Sequence, residues 1–212
     1  MIPTSPLIVC FGDSLTVGYQ SPTPDRPEYR ETPYSAFLQE HLGARARVRS
    51  SGVCGELTAE MLLRFRQDVL QRGPTYVVVL GGTNDLGWNA HPSAIMRNLL
   101  KMYELALAAS VRPVAVTVPS IRGDADVRVG EGTAWLEGHI ANRRILNHLI
   151  MDYCKRKAVA CVDLFEATQE PQSGSLAEQY SNDGLHLSTN GYRMLATLLF
   201  EQVFAVELGG PH

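Results

Sequence analysis

Cysteine is scarce, neither sign of charge dominates, and long apolar runs are missing; each shortage removes a class of protein. The four cysteines, Cys10, Cys54, Cys154 and Cys161, are few for 212 residues and form no C-x-x-C pair. That argues against a disulfide scaffold and against a zinc site. It leaves reduced thiols packed as small apolar groups, with Cys54 expected to be buried and inert. A net charge of −3 and a pI near 6.1 provide no long-range attraction to phosphate backbones. Arg45, Arg47 and Arg49 alternate as the solvated face of an expected edge strand, so nucleic acid is not an expected partner. No apolar run approaches the roughly 20 residues that span a bilayer, and no integral membrane segment is expected. Residues Met1–Pro6 lack the basic segment, apolar stretch and cleavage site of a secretory signal, and the expected location is cytoplasmic.

What remains is an ordinary globular composition, 45% hydrophobic and 19% charged, in a length that suits one domain over residues 1–212. Short β-rich apolar runs alternate with longer stretches of helical period, the pattern of a parallel sheet with helices on both faces. The expected strands are Leu7–Phe11, Arg45–Arg49, Tyr76–Leu80, Val114–Val118 and Ala158–Val162. Tyr76–Leu80 is apolar at every position, as a central strand covered on both faces should be. The expected helices are Tyr34–Leu42, Ala59–Gln71, Ser93–Ala109, Ala134–Lys157 and Thr189–Phe204. Leu62, Phe65 and Val69 form the apolar stripe of the second, with Arg64, Gln67 and Asp68 pointing elsewhere; Ile95, Leu99, Met102 and Ala106 form that of the third. Thr58, Thr133 and Ser188 are candidate N-caps, and Gly43 and Gly73 candidate stops.

Three connections are long: Ser21–Pro33, Pro119–Thr133 and Ala167–Asp183. Loops of that length in a compact domain are often functional, and open α/β sheets bind ligands beyond the carboxyl ends of their strands. After the first strand, Gly12-Asp13-Ser14-Leu15 puts a serine in a turn, where its hydroxyl is a weak nucleophile without a neighbouring base. After the second, Gly52 lets the backbone approach a bound group. After the third, Gly82-Thr83-Asn84-Asp85 supplies a side-chain amide able to donate to an oxyanion. Far downstream, Asp183-Gly184-Leu185-His186 sets a carboxylate three residues before an imidazole, a spacing at which the carboxylate can hold one ring nitrogen while the other faces away.

Together and in this order, the four segments resemble the SGNH (GDSL) hydrolase family. The match runs from Phe11 to the last helix. It departs at Ser50, where many members carry an asparagine two residues before the second-block glycine. The resemblance implies a three-layer α/β/α sandwich with a five-stranded parallel sheet in flavodoxin-like order. It implies a serine esterase acting on small-molecule esters: Ser14 the nucleophile, His186 the base, Asp183 its orienting carboxylate. Main-chain N–H groups of Ser14 and Gly52 and the Asn84 side chain would form the oxyanion hole, with no cofactor and no metal. Thioesterase, lysophospholipase and carbohydrate O-deacetylase activities use the same frame.

Rival classes rest on less. A flavodoxin-like binding module would share the strand-then-Gly/Ser/Thr loops, but G-x-x-x-x-G-K-[ST] is missing, as is G-x-G-x-x-G after the first strand. A metallophosphoesterase could gather Asp13, Asp85, Asp183 and His186 around two metals. The G-x-S-x-G turn of an α/β-hydrolase is missing around Ser14. Trp88 is a candidate pocket wall, and His41, His91, His139 and His148 are expected as surface or helix polar groups.

Overall fold

The computed structural model describes residues 5–123 and 131–209. Its centre is a five-stranded, all-parallel sheet of β1 (Leu7–Gly12), β2 (Arg47–Gly52), β3 (Tyr76–Leu80), β4 (Arg112–Val116) and β5 (Ala160–Val162), in the spatial order β2-β1-β3-β4-β5. This is the flavodoxin-like order. Five longer helices cover it: α1 (Tyr34–Leu42), α2 (Thr58–Asp68), α3 (Pro92–Ala108), α4 (Glu131–Lys157) and α5 (Thr189–Leu199).

Strand alternation builds two cores, one on each face. Ile8 and Cys10 of β1 and Val78 and Leu80 of β3 pack with Tyr34, Leu38, Tyr192 and Leu195 of α1 and α5. Val9, Phe11, Val77 and Val79 pack on the opposite face with Met61, Phe65, Leu99, Met102, Leu146 and Ile150 of α2, α3 and α4. With helices on both faces, β3 is buried at all five positions, which explains its unbroken apolar run.

Several boundaries differ from expectation for local reasons. Gly43–Arg45 is a 3₁₀ turn, so β2 starts at Arg47 on the edge of the sheet. Arg45 leaves the strand because its guanidinium turns back onto the carbonyls of His41 and Leu42, at 2.6 and 3.1 Å, at the end of α1. Pro113 sits inside β4, paired with Val77 only, because β5 begins opposite Val114; there the missing N–H costs no second ladder bond. Thr58 opens α2 instead of capping it, and its hydroxyl goes to Asp85 at 2.6 Å. Helix α4 already runs at Glu131, so Thr133 lies within it and not at its cap. Ser188 does cap α5, and Gly43 and Gly73, both at positive φ, follow the turns they terminate. The expected last helix widens into a π turn at Phe200–Phe204. Ser21–Pro33 holds Arg30–Glu31, which pairs antiparallel with Tyr19–Gln20 as a short ribbon. Residues 124–130 of the Pro119–Thr133 connection lie outside the described residues.

Candidate active site

The candidate residues lie at the carboxyl ends of β1, β2 and β3 and on the loop leading into α5. Asp13 follows β1 and caps the next turn, accepting the amide of Leu15 at 2.9 Å, so the chain turns at once into the short helix Ser14–Val17. Ser14 is the first residue of that turn, where main-chain N–H groups have no intrahelical acceptor. The turn lies very close to its neighbours. A Cβ on Gly12 would stand 2.1 Å from the Leu80 carbonyl oxygen, and one on Gly52 would stand 2.5 Å from the Val17 nitrogen. Only glycine fits either position.

His186 reaches Ser14 across 172 positions of sequence, Nε2 to Oγ at 3.2 Å, while its Nδ1 lies 2.8 Å from Asp183 Oδ2. Asp183 is the centre of its own loop. Oδ1 accepts the amides of His186 and Leu185 at 2.7 and 2.9 Å, and Oδ2 also accepts the Ser21 hydroxyl. Partial burial raises the carboxyl's pKa, but the bonds from His186, Ser21 and the two amides outweigh it and hold the group well below the usual carboxylate range. An ionised carboxylate only accepts, so the proton of neutral His186 sits on Nδ1 and Nε2 presents its lone pair to Ser14. The Tyr19 ring closes over His186 edge-on at 4.6 Å, and Tyr29 stacks on Tyr19.

Asn84 stands in the short helix Thr83–Gly87, after β3. One of its amide hydrogens goes to the Glu56 carbonyl at 2.9 Å, which orients the side chain and leaves the other hydrogen for a ligand. Arg64 ties these blocks together: it grips the Glu56 carboxylate at 2.5–2.8 Å, donates to the Gly12 carbonyl at 3.0 Å and reaches Ser51 Oγ at 3.1 Å. Arg64 thus stands off the apolar stripe of α2, as expected, and its polar partners lie at the strand ends. Its charge lies 4.1 Å above the Phe11 ring and serves the strand-end turns. Ser50, the departure from the family pattern, donates to the Thr16 carbonyl at 3.1 Å and so braces the turn that carries Ser14.

The acids that a two-metal site would gather are dispersed. Asp85 receives the amide and hydroxyl of Thr58 at 3.0 and 2.6 Å, and Asp13 is fully buried behind Ser14. Among the described residues no three His, Cys, Asp or Glu side chains gather as a cation site.

Beside the triad-like chain opens a cavity of about 510 Å³, whose lining includes Asn84, Trp88, Gly123, Trp135, Arg143 and Asp183. Trp88 is thus a wall, as the sequence suggested. Ile121, Arg122 and Gly123 bring the second long connection to it, while Ser21–Pro33 meets the site through Ser21 and contributes no lining residue. Three expectations fail nearby. His139 is buried, packs on Trp135 at 4.2 Å and lines the cavity. Cys54 is exposed, because the turn after β2 projects it outward. Leu62 is only half-buried, and Met61 takes the core position instead. Ser21, Tyr19 and Arg143 carried no sequence signal, since each acts through partners far along the chain.

A sequence profile of the GDSL-like Lipase/Acylhydrolase family matches residues 10–194. The chain superposes on a GDSL-like lipase from Bacteroides thetaiotaomicron with a TM-score of 0.73, at 20% identity, covering 97% of this chain and 91% of the other. For a lipase/acylhydrolase from Enterococcus faecalis the values are 0.75, 23%, 98% and 99%. For a carbohydrate acetylesterase family member from Sinorhizobium meliloti they are 0.75, 20%, 96% and 99%. At these identities the superpositions speak to the fold. Among curated proteins, the Bacillus subtilis lipoprotein YqeF is 27% identical over 124 residues, 55% of this chain, and the match spans about half of that relative's length. No helix of the described residues is long and apolar enough to cross a membrane.

Proposed function

The chain belongs to the GDSL-like lipase/acylhydrolase family of ester-hydrolysing enzymes, and on that premise we propose that it is a serine esterase working through Ser14, His186 and Asp183. The observation that carries the reading is the unbroken hydrogen-bond chain from Asp183 through His186 to Ser14. Ser14 Oγ attacks the ester carbonyl carbon while His186 Nε2 takes its proton, and Asp183 stabilises the imidazolium that forms. The negative charge passes to the carbonyl oxygen, where the main-chain N–H groups of Ser14 and Gly52 and the free Asn84 amide hydrogen receive it. Collapse breaks the bond to the alcohol, which leaves with the proton from His186. Water then cleaves the acyl-enzyme by the same route. A flavodoxin-like binding module leaves the His186–Ser14 pairing without a task.

Hydrolysis of 4-nitrophenyl acyl esters, acyl thioesters and acetylated sugars, with labelling by a fluorophosphonate, tests the reading. Ser14→Ala should melt like the parent and lose both activity and label. Label retained at full strength, or activity abolished by a chelator, overturns it.

A further inference from the structure

Helix α4 presents Trp135, His139 and Arg143 to the cavity at four-residue intervals, one face of successive turns. Exposure falls along that row from 57% at Trp135 to 5% at His139 and 1% at Arg143, so the row runs from mouth to floor. Trp88, 81% exposed, also lines the cavity, and these two are the protein's only tryptophans.

The floor is chemically incomplete. Arg143 Nε donates to the Pro119 carbonyl and Nη2 to Thr83 Oγ1, each at 3.1 Å, while Nη1 is buried with no partner among the described residues. Both partners are neutral, and no carboxylate among the described residues pairs with the guanidinium. Burial lowers its pKa only to about 10, so the group stays charged at neutral pH. An unpaired buried cation is costly to keep, and a guanidinium offers a planar fork that suits a carboxylate or phosphate. Thr83, which holds Nη2, adjoins Asn84 in sequence, so the charge lies next to the proposed oxyanion donor.

We propose that Arg143 is the anion-recognition point of this cavity, and that the substrates are esters carrying an anionic group, carboxylate or phosphate, seated between Trp88 and Trp135. This rests on the esterase reading and narrows its substrate class.

The test compares kcat/KM within two pairs, each rate divided by that of hydroxide-catalysed hydrolysis. Mono-4-nitrophenyl glutarate against 4-nitrophenyl hexanoate places the charge on the acyl side. 4-Acetoxybenzoate against 4-acetoxybenzamide places it on the alcohol side. The parent should favour the charged member of one pair at least tenfold; Arg143→Met should cut that ratio tenfold or more, and Arg143→Lys should restore part of it. Indifference to charge in both pairs, or a ratio that Arg143→Met leaves unchanged, overturns the proposal. Binding is read separately from tryptophan fluorescence, because both tryptophans flank the cavity. At constant ionic strength, titration with glutarate and with inorganic phosphate should saturate for at least one anion in the parent, but for neither in Arg143→Met. The two titrations tell a carboxylate site from a phosphate site. Saturation without turnover of any ester would sink the esterase reading while sustaining the anion site; no saturation with either anion in the parent sinks the anion site.

Discussion

Two aspartates flank the Ser14–His186 pair, and their surroundings are opposite. Asp183 lies half-exposed in the loop before α5, with the His186 ring, the Ser21 hydroxyl and two main-chain amides around its oxygens. Asp13 lies fully buried just after β1, with one amide on Oδ1 and no partner for Oδ2 among the described residues. Burial drives the Asp13 carboxyl up to about 7, against the weaker pull of the Leu15 amide and His186. Hydrogen bonding drives Asp183 down in spite of burial. The balance of burial against donor count, more than distance from the Ser14–His186 pair, therefore decides which acid keeps its charge. The His186 side of the site is built around an anion. The Ser14 side is built around strand-end turns and Arg64, and needs no charge on Asp13.

Removing the anion on the His186 side should have the largest effect. Asp183→Asn keeps an acceptor for the loop amides but can present N–H to His186, favouring the tautomer with its proton toward Ser14. A loss of about 10⁴ in kcat is expected, with the fold retained. Circular dichroism and turnover of 4-nitrophenyl acetate check both. A loss below tenfold would mean that Asp183 does not orient the base.

On the Ser14 side the matching cut is Asn84→Ala. An amide aimed at a charge that exists only in the transition state should cost about 100- to 1000-fold in kcat, with KM changed far less. If Asn84 serves only to tie its helix to the Glu56 carbonyl, the melting temperature falls while kcat holds.

How much of this was legible beforehand follows the range of the interactions. Tyr76–Leu80 and Tyr34–Leu42 stand as the sequence predicts, because an all-apolar run and a glycine stop are local signals. The four motif blocks were readable because the chemistry of each is carried by adjacent residues. Arg45 was misplaced because its choice of the α1 carbonyls over the strand is a side-chain decision with no periodic trace. Thr58 read as a cap since nothing nearby announces Asp85, 27 positions on. Arg143 belongs to no motif and no apolar stripe, and only the packing of α4 against the cavity shows that its charge is buried.

A milder cut on the His186 side is Ser21→Ala, which removes one donor of Asp183 and leaves His186 Nδ1, the two main-chain amides and the more distant Ser181 hydroxyl. A depressed carboxyl contributes stability that is present above its unfolded pKa, near 4, and lost as pH falls through the native value. With one donor fewer the native value rises toward the unfolded one, so the loss on acidification should be smaller and complete at higher pH. Water can replace the hydroxyl at this half-exposed site, and kcat should fall less than tenfold. Urea unfolding below pH 5 and turnover at pH 7 measure the two effects. An unshifted acid limb would show that Ser21 does not support the charge.

The smallest effect is expected from Asp13→Asn, and it should appear in stability instead of turnover. Asparagine keeps Oδ1 for the Leu15 amide and so keeps the turn that carries Ser14. In the unfolded chain Asp13 gives up its proton near pH 4, whereas the native carboxyl holds it to about 7. Between those values the native state binds one more proton than the unfolded state, so this group makes stability fall as pH rises, by at most about 1.4 kcal/mol per unit. Above about 7 the whole penalty is in place. The substitution removes the titration, and the difference in unfolding free energy between variant and parent should move in the variant's favour from pH 4 to pH 7 and then level off. Ser21→Ala works in the opposite sense and in a lower window, which separates the two aspartates in a single set of urea titrations. A difference that stays constant from pH 4 to pH 8 would mean that the Asp13 carboxyl is already ionised in the native state at pH 4, and that the contrast between the two sides of the site does not lie in their charges.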